Sequence, residues 1–161
     1  MQGFVVENDI IFFEMGLRLS GGAGYLQISR QNEINQLEMH IRYALTGKFD
    51  GWDLLEYDNA RFKNPACVLV VLLNDGKIEK ITGLEDVKNH SNVFDIVQFK
   101  HEGEELCARG TLNQVFARIY MSGKDEEELK EAIAFVKKNL CIVNEKNENM
   151  IMNLFDEKKV Y

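Results

Sequence analysis

The chain has 161 residues, 45% apolar and 28% charged, which suits a globular fold able to bury a core of its own. Its formal charge of −7 at pH 7 argues against a nucleic-acid binder, which needs a basic face. The acidic excess is spread along the chain, as in Glu126-Glu127-Glu128 and Asp156-Glu157, and reads as solvation; no apolar run approaches bilayer-spanning length.

Two apolar runs, residues 2–6 and 10–14, flank Glu7-Asn8-Asp9 and predict a β-hairpin. A first strand that starts almost at Met1 lacks a lead-in, so the chain is expected to be part of a longer protein. Ile10-Ile11-Phe12-Phe13 belongs in a core and ends on Glu14. A carboxylate is rarely left at the end of such a strand without a cation or a hydrogen-bond partner. Arg18 follows four residues later, and then Gly21-Gly22-Ala23-Gly24, a flexible or close-approach loop. Asn32 is the expected cap of a helix carrying Ile34, Leu37, Ile41, Ala44 and Leu45 on one face. Glu38 and Arg42 lie on its solvated side, and Gly47 sits at its C-terminal end. Apolar periodicity lapses over residues 48–63, a candidate linker that does not read as a true domain boundary, in which Trp52, Asp53 and Glu56 fit either paired acids or a surface loop with an anchoring aromatic.

Pro65 precedes residues 66–73, an unbroken apolar strand expected to be buried on both faces. Asp75-Gly76 turns the chain into a strand at 77–81, followed by a short helix at 84–88 and a strand at 93–99. After a turn at Glu102-Gly103, Val115, Ala117, Ile119 and Met121 alternate with Phe116, Arg118 and Tyr120. That period of two predicts a strand with a more exposed second face. Asp125 and Glu128 open a helix in the manner of a capping box, with Leu129, Ala132, Ile133 and Val136 inward and Lys137 and Lys138 at the cation-favouring end. A last strand covers 140–143. In order, these elements predict an α+β fold with a mainly antiparallel sheet and a few flanking helices.

Cys67, Cys107 and Cys141 stand in apolar contexts without CxxC spacing and read as buried, reduced thiols of a cytoplasmic protein. His40, His90 and His101 are scattered, which argues against a His-based metal site.

The order strand, Glu14, Gly16, Arg18, Gly21-Gly22 resembles the C-terminal metal-binding strand of the ATP-grasp ligases. Their usual pattern is Glu-x-Asn-x-Arg, and Gly16 stands here in the place of the Asn. Val68-Leu69-Val70-Val71, Asp75-Gly76-Lys77-Ile78, the run from Ile81 to Val87 and the run from Arg118 to Glu128 are similar, in order, to the small C-terminal lobe of that family. The biotin-carboxylase-like, carbamoyl-phosphate-synthase-like and amino-acid-ligase branches share this character. The resemblance implies the C-terminal portion of an ATP-dependent carboxylate–amine ligase that works through an acyl-phosphate. Residues 1–47 would then form the metal-binding hairpin and helix of the catalytic lobe, and residues 48–161 a C-terminal α+β lobe.

By the same resemblance, Glu14 would hold Mg²⁺ on the nucleotide phosphates and Arg18 would face the phosphoryl group or the acyl-phosphate. Gly21 and Gly22 would let the backbone approach the bound ligand. ATP and Mg²⁺ are the implied cofactors of the complete protein, with a small carboxylate and an amine as substrates. The implied partner is an upstream ATP-binding lobe, on the same or a separate chain, because no GxxxxGK[ST] loop is present here. Neither nucleic acid nor membrane is implied, and there is room for homo-oligomerisation. The residues also fit plainer roles: Glu14 and Arg18 a structural ion pair, the glycines a simple turn, and the whole chain a non-catalytic α+β module that docks a partner domain.

Overall fold

A computed structural model describes residues 2–7, 9–16, 18–19, 21–48, 63–107 and 110–152. The chain divides into two units, Met1–Asp58 and Asn59–Tyr161. Trp52, Asp53 and Glu56 lie outside the described residues, as does nearly all of the expected linker.

In the first unit, β1 (Gln2–Val6) and β2 (Asp9–Glu14) form the expected antiparallel hairpin, with Phe4 opposite Ile11 and Val5 opposite Ile10. Phe4 and Phe13 stack with ring centroids 4.7 Å apart. Residues 10–13 were expected in a core, yet all of β2 is exposed, with Phe12 at 58% and Phe13 at 56%. A two-stranded ribbon has no second layer of its own, and among the described residues of this unit none supplies one.

The helical part differs from the sequence reading. The described residues of this unit form two helices, α1 (Gly24–Asn32) and α2 (Gln36–Thr46). Asn32 therefore ends a helix, and Asn35 is the cap, its side chain accepting the N–H groups of Leu37 (3.0 Å) and Glu38 (3.2 Å). Helix α1 had no legible signal: its N-cap, Ala23, has no side-chain cap bond, and its C-cap, Glu33, holds the left-handed conformation usually left to glycine. Gly47 does end α2, with φ 71° and its N–H donated to the Tyr43 carbonyl. The face carrying Leu37, Ile41 and Leu45 is exposed, while Ile34 and Gln31 are buried.

The described residues of the second unit form two three-stranded sheets around one core. The strands are β3 (Ala66–Leu72), β4 (Gly76–Thr82), β5 (Val93–Gln98), β6 (Glu105–Leu106), β7 (Val115–Ser122) and β8 (Cys141–Asn144). One sheet runs β3-β7-β5 and the other β6-β4-β8, and every strand pair among the described residues is antiparallel. The turn at Asp75-Gly76 thus carries the chain from one sheet to the other.

Two strands differ in burial from what their sequence pattern suggests. β7 was expected to have an exposed face, but it is the middle strand and is buried on both sides, Phe116, Ile119, Tyr120 and Met121 completely. β3 was expected to be buried on both faces, but it is an outer strand: Leu69 and Val71 turn to the core while Val70 is 39% exposed. An uninterrupted apolar run and an alternating one report composition, and position in the sheet decides burial.

Two helices flank the core, α3 (Leu84–Lys88) and α4 (Glu126–Asn139). Asp125 caps α4 by accepting the Glu128 N–H at 2.9 Å, and Leu129, Ala132, Ile133 and Val136 are buried as expected. Glu128 in turn accepts the Lys124 N–H, which lowers its carboxyl pKa. Gly83 joins β4 to α3 at φ 76°, and a Cβ there would collide with the Asn139 carbonyl at the end of α4. Gly83→Ala is therefore expected to cost about 1–3 kcal/mol or more, read as a lower urea midpoint at unchanged slope. An unchanged midpoint would mean that this junction is not as close as described. No helix among the described residues is long and apolar enough to cross a membrane.

Candidate functional site

The candidate site is a continuous stretch of the first unit. Apolar pairing in the hairpin brings β2 to its last residue, Glu14, opposite Gln2 and exposed. Gly16 and Arg18 follow, both exposed; one Arg18 nitrogen, Nη1, donates to the Leu19 carbonyl at 3.2 Å. Gly21 and Gly22 form a turn, the first exposed and the second half-buried, and Ala23 leads into α1. Chain order thus presents a carboxylate, a guanidinium, a small-residue turn and the positive end of a helix dipole within about three turns' length of chain.

Among the described residues, Glu14 and Arg18 form no ion pair with each other. A Cβ on Gly16 would meet only the Arg18 Cγ, at 3.8 Å, and one on Gly21 would meet nothing within 4 Å. Neither has a positive φ, so neither packing nor backbone conformation among the described residues demands glycine at these two positions. No group of three His, Cys, Asp or Glu residues among the described residues is arranged to hold a metal. Glu14 thus offers one carboxylate. A single exposed carboxylate would fit one ligand of a hard divalent cation and no more.

The second unit holds a separate open cleft of about 480 Å³, lined by Ile81, Leu84, Glu85, Asp86, His101 and Glu102 among others. Two of its carboxylates are engaged locally: Glu102 accepts the Ile81 N–H at 2.8 Å and Glu85 pairs with Lys88 at 2.6 Å. No motif in the sequence marks it.

The three cysteines are free thiols, as expected, but they are not all buried: Cys107 is exposed, and Cys67 and Cys141 are half-buried. Cys107 lies just beyond the two-residue strand β6, where its side chain has left the core that Leu106 enters. Burial pushes the Cys67 thiol up to about 11. Because the thiolate is the reactive form, iodoacetamide at pH 8 should label Cys107 well before Cys67, as followed by peptide mass spectrometry. Equal rates would contradict the placement of β3 against the core.

No protein-family model and no curated protein matches the chain. Among solved structures it is similar to the L-amino acid ligase from Bacillus licheniformis, with 22% sequence identity and a TM-score of 0.60. The likeness covers 78% of this chain but only 30% of that one, so the chain spans less than a third of that ligase's length. At this identity the likeness speaks for the fold alone, an α+β fold with antiparallel sheets.

Proposed function

We propose that the chain is the C-terminal part of an ATP-dependent carboxylate–amine ligase of the amino-acid-ligase kind. The observation that carries this reading is the apolar hairpin that ends on Glu14, with Arg18 and the Gly21-Gly22 turn after it, on a fold shared with an amino acid ligase. In the reaction, a carboxylate oxygen of the substrate attacks the γ-phosphorus of ATP, giving an acyl-phosphate and ADP. An amine then attacks the acyl carbon, and inorganic phosphate leaves as the amide forms. Both steps move negative charge, so groups fixed in advance around the phosphoryl oxygens supply most of the stabilisation. When bound, Mg²⁺ would neutralise charge on the phosphates, and Glu14 is the residue of this chain that would hold it. Arg18 is planar and always charged, which suits two-pronged contact with a phosphoryl or carboxylate group. Gly21 and Gly22 would let the backbone come close to the ligand.

The partner in this reading is an upstream ATP-binding lobe, on the same or another chain. Support comes from the 30% coverage of the ligase and from the hairpin, whose apolar side chains are exposed on both faces. The same exposure favours the second reading, a non-catalytic module docked by a partner domain.

Nucleotide affinity separates the isolated chain from the complete ligase. Alone, the 161-residue chain is expected to show no thermal shift with Mg-ATP, because the grip on the nucleotide lies in the other lobe. A ligand at a hundred times its Kd stabilises by about 2.7 kcal/mol, which a melting experiment resolves readily. A saturable shift would overturn the division into lobes. The complete polypeptide should release ADP only when ATP, Mg²⁺, a small carboxylate and an amine are all present.

A further inference from the structure

We draw no further inference here: the strongest candidate, the hairpin of β1 and β2 with apolar side chains exposed on both faces, belongs to the lobe contact already proposed, and nothing in the structure shows what covers either face.

Discussion

If the chain is part of the ligase proposed above, Glu14→Gln in the complete polypeptide should abolish turnover while leaving the fold intact. The amide keeps the shape of the carboxylate and loses the charge that would hold a hard cation on phosphate oxygens. The expected loss is at least about 10²–10³-fold in the rate of ADP release, the scale on which active sites lose a single electrostatic contact. Stability should hardly move, because Glu14 is exposed at the end of β2. Substitutions at such positions stay within about 0.5 kcal/mol. Far-UV circular dichroism and the melting temperature report the fold, and a coupled assay at saturating ATP and Mg²⁺ reports the turnover. Near-normal turnover would remove Glu14 from the chemistry and leave the docking module as the better reading.

The two halves of the chain were unequally legible. In the second unit, local chemistry and tertiary environment agree: Asp125 with Glu128 starts α4, Gly76 allows the turn between sheets, and the inward face of α4 follows helical spacing. What local pattern could not tell was which strand is central, because Val68 to Leu73 is the more apolar run and yet lies at the sheet margin. Phe116 and Tyr120, on the face expected to be the more exposed one, are completely buried.

In the first unit the hairpin was plain from composition, whereas α1 was hidden by a start at Ala23 and an end at Glu33 that carry none of the usual signals. The expectation that Ile10 to Phe13 sit in a core follows from solvation energetics, and the described residues of that unit do not provide the core. The mismatch is physical: exposing so much apolar surface on a ribbon is costly, so the hairpin sequence is suited to a larger assembly. Glu14, Arg18, Gly21 and Gly22 stand out by their order along the chain, and among the described residues no packing contact demands glycine at Gly16 or Gly21.

Arg18→Lys in the complete polypeptide should fail as well, although the charge is retained. If Arg18 clamps a phosphoryl group, two parallel N–H groups in one plane do the work, and an ammonium offers a point charge without that geometry. A loss of about 10²–10³-fold in turnover is expected, with an unchanged melting temperature. The second half of that expectation rests on the structure: Arg18 is exposed, and Nη1 touches only the neighbouring Leu19 carbonyl among the bonds described for it. Were Arg18 instead a structural partner of Glu14, lysine would serve nearly as well and activity would stay within a few-fold of wild type. The decisive measurement is the turnover number at saturating ATP and metal, taken beside the melting temperature. A variant that is inactive yet melts normally places Arg18 at the transferring group; one that is active removes it, and one that is inactive and unfolded early makes it structural.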